Sequence, residues 1–343
     1  MHESEDYVAA KGDRMADRLT GRGRSGHTGR SAGIRRRVGR EKPSYDASPL
    51  HGQAVVITGS GGGLGRAYAM GAARAGASVV VNDVDGDAAR VTTEEIRAAG
   101  SNAVVSNHDV RIPEQADELV QTCVQTFGSI HGLVNNAGVY YESQPWDEDS
   151  KRIKQIVEVN LLGAMYCGVA ALRVMQSQKA GSIVNIASGG YAGYRNIAAY
   201  GATKGALVSL TYSWAMDLTG TRVRVNAVAP VAITRMTTLT EQARRVVSHA
   251  AEPDAIEPLV TFLLSDLAWG VTGQLFHFDG TTLDSLEAGW LKRPPGLRRE
   301  TWNLQHLARA VEEPGMLHAF GVVPTTPERM QQAAQLPEQF WSV

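Results

Sequence analysis

Cysteine is nearly absent: Cys123 and Cys167 are the only two in 343 residues. Two thiols supply neither a disulfide framework nor a zinc site, and His108, His131, His277 and the other histidines show no metal-ligand spacing. No metal is expected, and the thiols read as small core residues. Long apolar runs are lacking too, since none approaches the roughly 18 residues that a membrane span requires. Yet 43% of the residues are apolar, enough for a substantial core. The opening MHESEDY is acidic where a secretory signal would be basic and then apolar. A soluble, cytoplasmic protein without membrane contact is the expectation.

Net charge is also scarce, at −1 overall, but it is unevenly spread. Residues 1–49 hold 11 Lys/Arg and 7 Asp/Glu, so the arm is positive and the body negative. From Arg18 to Lys42 nine cations stand against Glu41 alone, among Gly and Ser, with almost no large apolar residue. Such a segment cannot bury a core, and it reads as a disordered basic arm. Arg35, Arg36 and Arg37 would suit an anionic partner. Without an aromatic residue between Tyr7 and Tyr45 there is no stacking platform, so the arm is not read as a nucleic-acid site.

From Gln53 onward, short apolar runs alternate with stretches of helical periodicity. Seven runs read as buried strands: 54–60, 78–83, 102–109, 130–138, 181–188, 223–230 and 273–280. Between them, 66–75, 87–99, 114–127, 151–176 and 198–219 repeat apolar residues at three and four, as helices do. Strict alternation with continuously apolar strands predicts an α/β domain over 50–284. It is a Rossmann-type, doubly wound, parallel seven-stranded sheet with helices on both faces. Residues 285–343 break the pattern, with six of the 13 prolines and with Trp290, Trp302 and Trp341. They read as an extension, with helical segments at 301–313 and 325–336, packed on the body or on a neighbouring subunit.

The first strand runs into TGSGGGLG, where Gly59, Gly63 and Gly65 let the backbone turn tightly and approach a pyrophosphate at a helix N-terminus. Asp83 ends the second strand, 24 residues past Gly59, where a carboxylate accepts hydrogen bonds from ribose hydroxyls and repels a 2′-phosphate. NAD is therefore favoured over NADP. Asp85 serves the following turn, and Arg66 is set aside as a phosphate ligand because it points out along its helix. Tyr200 and Lys204 stand four residues apart on one helical face, with Ser188 twelve residues before Tyr200 at a strand end. A free phenol near pKa 10 exchanges protons poorly at neutrality, so its anion needs a positive neighbour.

T-G-x-x-x-G-x-G, followed by Asn135-Asn136-Ala137-Gly138 and Tyr200-Gly-Ala-Thr-Lys204, resembles the classical short-chain dehydrogenase/reductase family over about 50–284. The resemblance implies Asn160, Ser188, Tyr200 and Lys204 as the catalytic set. It implies cofactor contacts from Gly59, Gly63, Leu64, Gly65, Asp83, Asp109, Val110, Asn136, Ala137, Gly138, Tyr200, Lys204, Pro230 and Thr234, with Met236 in the same closing segment. Asp109 would meet adenine, and the backbone of Asn160 would hold a water leading to Lys204. Two departures lie in loops around the substrate: Val231 replaces a glycine with the Pro-to-Thr spacing one residue shorter, and the Ser-to-Tyr spacing is also one shorter.

GLGRAYA, VVVND and APVAITRM resemble, more loosely, the hydroxyacyl-CoA dehydrogenase units of peroxisomal-type multifunctional enzymes. The implied reaction interconverts a secondary alcohol and a ketone, with a 3-hydroxyacyl-CoA, a steroid or another lipid alcohol as substrate. The competing reading is a non-catalytic nucleotide-binding module that engages a partner through its basic arm. The family pairs helices 151–176 and 198–219 between subunits, implying a homodimer or homotetramer.

Overall fold

The computed structural model describes residues 48–234, 238, 244 and 250–286. The readings of the arm over 1–47, of Met236 and of the extension beyond 286 lie outside these residues.

Seven apolar runs form strands: β1 (Ala54–Thr58), β2 (Ser78–Asn82), β3 (Ala103–Ser106), β4 (Gly132–Asn135), β5 (Gly181–Ile186), β6 (Val223–Pro230) and β7 (Leu275–Phe278). They pair in parallel in the order β3-β2-β1-β4-β5-β6-β7. The order reverses between β1 and β4, which opens a crevice at the carboxyl ends of those strands. An eighth strand, β8 (Leu283–Leu286), was not among the predicted seven. It pairs antiparallel with β7, Leu275 facing Leu286. The boundary drawn after residue 284 therefore falls inside a strand, and the chain reaches residue 286 at the edge of the sheet opposite that crevice.

The helices are α1 (Gly63–Arg74), α2 (Gly86–Ala98), α3 (Pro113–Phe127), α4 (Ser150–Val157), α5 (Ala164–Gln178), α6 (Ala198–Asp217) and α7 (Pro253–Leu264). Side chains alternate across a strand, and β1 shows the result. Val55 and Ile57 pack with Tyr68 and Ala72 of α1, Ile96 of α2 and Ile256 and Leu263 of α7. Val56, on the opposite face, packs with Leu119 and Cys123 of α3 and Cys167 and Met175 of α5. Each large side chain buried this way contributes about 1.5–3 kcal/mol, and both cysteines are spent on that core.

Asp85 starts α2 by accepting the Asp87 and Ala88 amides, whereas α3 starts with Pro113 and stops at Gly128 in the left-handed region. The predicted helix 151–176 is present as one unbroken helix, Ser150–Gln178, but it is not α throughout. Between α4 and α5 the turn Glu158–Gly163 is a π-helix, centred near the buried Asn160. The whole stretch Ser150–Gln178 is long and apolar enough for a membrane span, yet 44% of its most apolar window is buried inside the fold. Its Cys167, Ala171 and Met175 lie against the sheet.

Candidate active site

The site is built at the crevice. After Thr58 the chain turns at Gly59, whose φ of +62° belongs to the left-handed region that glycine adopts freely. A Cβ on Gly65 would lie 2.1 Å from the Gly59 carbonyl oxygen, so only glycine lets the first turn of α1 settle on the loop. Gly62, at the N-cap of helix α1, offers no side-chain cap, and a Cβ there would meet nothing within 4 Å. Uncapped amides facing open space form an anion cradle.

The Asn136 segment is tied to this loop. The Thr58 hydroxyl accepts the Asn136 and Ala137 amides at 3.0 Å each, and Asn136 Nδ2 donates to the Thr58 and Gly59 carbonyls at 2.9 Å each. Thr234 lies above the cradle, its Cβ 3.9 Å from where a Cβ on Gly63 would be. Pro230 ends β6, and Leu64 packs on the core.

Asp83 accepts the Gly61 amide at 2.9 Å and the Asp85 amide at 3.1 Å. Arg66 is engaged elsewhere, with its Nε donating to Glu95 at 2.9 Å. Asp109 is held on both oxygens by the Arg111 guanidinium, at 2.6 to 3.0 Å, and that partner keeps its carboxyl below the usual range. Val110 is buried against Gly163, where a Cβ would come within 2.7 Å of Val110 Cγ2. Gly138 lies by Asn160, a Cβ there standing 3.4 Å from Oδ1.

Next to the cradle the structure brings together the four residues singled out for chemistry. Ser188, extended just past β5, accepts the Gly190 amide at 3.1 Å and faces the Tyr200 hydroxyl. Burial raises the Tyr200 phenol above its ordinary value, and the neighbouring Ser188 side chain opposes that rise. Tyr200 as a whole is half-buried. One turn along α6, Lys204 is 4% exposed; its Nζ lies 5.6 Å from the Tyr200 ring centre and donates to the Ile186 carbonyl at 2.7 Å. Burial without a carboxylate beside it lowers this ammonium to about 8.

Asn160 acts through its side chain in a way the sequence did not disclose. Its Oδ1 accepts the Val139 amide at 2.8 Å and its Nδ2 donates to the Val139 carbonyl at 3.0 Å. That clamp fixes the segment carrying Tyr140, whose ring meets Tyr200 edge-on with centroids 5.1 Å apart. The Tyr140 hydroxyl donates to Glu142 at 2.6 Å. Below, Asn135 Nδ2 donates to Asn185 Oδ1, and Asn185 Nδ2 to Thr211, each at 2.9 Å. Tyr140 directly follows the Asn-Asn-Ala-Gly-Val run, which is the one signal that could have revealed it.

The short chain dehydrogenase profile matches residues 53–246, more than half of the chain. The chain belongs to this family. This short-chain dehydrogenase is 37% identical over 246 residues to 2-(S)-hydroxypropyl-CoM dehydrogenase 3 of Xanthobacter autotrophicus, covering 67% of this chain and 96% of that protein. It is 35% identical over 243 residues to the peroxisomal hydratase-dehydrogenase-epimerase of Saccharomyces cerevisiae, covering 65% of this chain but 27% of that longer protein. A solved structure of a short chain dehydrogenase from Mycobacterium avium superposes with a TM-score of 0.68 at 30% identity, over 77% of this chain and 94% of that one. The short-chain dehydrogenase is thus an oxidoreductase of a family that generally uses NAD(P). The glycine cradle, open where a Cβ at Gly62 would stand, fits such a dinucleotide.

Proposed function

We propose that this protein is an NAD-dependent oxidoreductase that interconverts a secondary alcohol and a ketone. The observation that carries the proposal is the buried Lys204 ammonium 5.6 Å from the Tyr200 ring centre, on the helix that also brings Tyr200 towards Ser188.

In the direction of oxidation, Ser188 holds the substrate oxygen by hydrogen bond and Tyr200, as phenolate, takes its proton. The positive charge of Lys204, 5.6 Å from the ring centre, favours that phenolate. The glycine loop and Asp83 would hold the nicotinamide dinucleotide, which would supply the hydride acceptor for the carbon that bears this oxygen. Reduction runs the proton from Tyr200 back to the oxygen. Ser188 stays put throughout, because the Gly190 amide fixes its oxygen.

Asp83 supports NAD over NADP: a 2′-phosphate at the end of β2 would meet its carboxylate, and Arg66, held by Glu95, is not turned to neutralise the charge. The substrate is proposed to be a 3-hydroxyacyl-CoA, as the likeness to the hydratase-dehydrogenase-epimerase suggests, with steroid or other lipid alcohols as the alternative. Homodimer or homotetramer formation through α4, α5 and α6 is proposed as well, supported by Ile153, Val169 and Met216, which are exposed on them. Two free thiols support a reducing, cytoplasmic setting.

The test is a turnover screen of acyl-CoA, steroid and simple cyclic alcohols with NAD⁺ and NADP⁺. NAD⁺ should lead by at least about tenfold in kcat/KM, or about 1.4 kcal/mol. Equal use of both would remove the cofactor assignment. Nucleotide binding without turnover on any alcohol would favour a non-catalytic module.

A further inference from the structure

The residue proposed to choose the nucleotide also holds the loop that would receive its phosphates. Asp83 Oδ2 accepts the Gly61 amide at 2.9 Å, while its Oδ1 accepts the Asp85 amide at 3.1 Å. On the other side of the same glycine, the fully buried Thr92 of α2 donates its hydroxyl to the Gly61 carbonyl at 3.3 Å. Contact is close enough that a Cβ on Gly61 would stand 2.7 Å from Ala88 Cβ and 2.9 Å from Asp83 Oδ2. One residue earlier, the Ser60 amide donates to the Asn82 carbonyl at 2.8 Å and the Asn82 amide returns to Ser60 Oγ at 3.1 Å.

The loop leaving β1 is therefore laced to the end of β2 and to α2 immediately before the uncapped start of α1. A carboxylate offers about four acceptor positions. Two are used by backbone amides, which leaves capacity for a ribose diol. We infer that Asp83 is a positioning residue for the glycine loop, in addition to any contact with ribose. Its carboxylate joins ribose recognition and the phosphate cradle into one unit. The inference rests on the nucleotide reading above for its ligand, but the latch itself is a property of the protein alone.

The consequence is that Asp83 matters even to a dinucleotide that has no hydroxyls to offer it. The experiment uses the full chain and two probes, NADH and an NADH analogue carrying 2′,3′-dideoxyribose on the adenosine side, with binding followed by fluorescence. Asp83→Ala should weaken the analogue at least about tenfold, the low end of the scale of one hydrogen bond to a charged group. Asp83→Asn, whose amide oxygen still accepts from Gly61, should bind the analogue within about twofold of the native protein on the same scale.

Amide hydrogen exchange on the nucleotide-free protein supplies the second readout. Gly61 should be protected, and should exchange at least about tenfold faster in Asp83→Ala, the factor that 1.4 kcal/mol of local stability represents. The latch is overturned if Asp83→Ala binds the analogue as the native protein does, if Asp83→Asn loses as much as Asp83→Ala, or if Gly61 of the native protein exchanges freely. If Asp83→Ala does not fold, native Gly61 exchange and the asparagine variant still decide. Failure of the native protein to bind either probe would instead remove the nucleotide reading, with the exchange result still judging the latch.

Discussion

Gly201 stands so close to Gly190 that a Cβ on it would lie 2.7 Å from the Gly190 carbonyl oxygen. The contact joins the start of α6 to the short 3-10 turn Gly189–Ala192, and so sets the separation of Tyr200 from Ser188. Gly201→Ala should push the two segments apart. Overpacking of this kind costs about 1–3 kcal/mol, so melting should drop by a few degrees. The kcat should fall at least about tenfold, since positioning errors near 1 Å cost more than stability reveals. Unchanged kcat with an alanine there would show that the site tolerates the shift.

Tyr200→Phe keeps the ring that meets Tyr140 edge-on and deletes the hydroxyl that faces Ser188. Turnover should fall by at least about a thousandfold, within the range that a positioned acid or base provides. NADH affinity, measured by fluorescence titration, should stay within about twofold, below 0.5 kcal/mol. Substantial residual turnover would assign the proton to another group.

Lys204 gives a pH prediction with a definite sign. Burial lowers its ammonium from 10.5 to about 8, so the charged form is disfavoured in the folded protein. Stability from this group is present above the unfolded value and is lost as pH falls through the window from 10.5 to about 8. Lys204→Met should therefore melt higher than the native protein at pH 7, by about 2–6 °C, while losing turnover. The gap should shrink between pH 8 and 10. Calorimetry across that range would refute the account if the gap were constant.

Asn160→Ala would leave the amide and carbonyl of Val139 without their partner. Val139 is half-buried, so the cost is set at about 1–3 kcal/mol. The segment bearing Tyr140 should loosen, raising KM for the alcohol more than it lowers kcat. Thermal melting and steady-state kinetics measure both, and a pure stability loss with unchanged KM would leave Asn160 a structural residue only.

What the sequence displayed and what it concealed follow physical lines. Strands β1 to β7 were visible because parallel strands buried on both faces are continuously apolar, as AVVIT is in β1. Strand β8 was not: LDSL is four residues long, and Leu283 is 53% exposed. Helix α7 was masked by Pro253 and by Pro258 within it, whose lost backbone bond is offset by burying Ile256, Val260 and Leu263. At the site, Tyr200, Lys204 and Ser188 declare themselves by spacing. The pairing of Asp109 with Arg111 does not, because two neighbours in sequence show nothing of whether their charges meet. Gly201 was legible only as a letter inside YGATK, since its purpose is the Gly190 carbonyl, 11 residues earlier in the chain.

The π turn Glu158–Gly163 has a consequence for insertions and deletions. A ring closed from i to i+5 takes up one residue more than an α turn, so the stretch Ser150–Gln178 behaves as an α-helix with one residue added. Omitting a residue such as Leu161 would let the ladder close regularly, with Ile156 before it and Cys167 after it still turned to their own packing. The clamp on Val139 would be lost, because Asn160 would be carried out of reach of that backbone. The scaffold and the chemistry thus count the residues of this helix differently, and a length change that folding accepts is one that the site refuses.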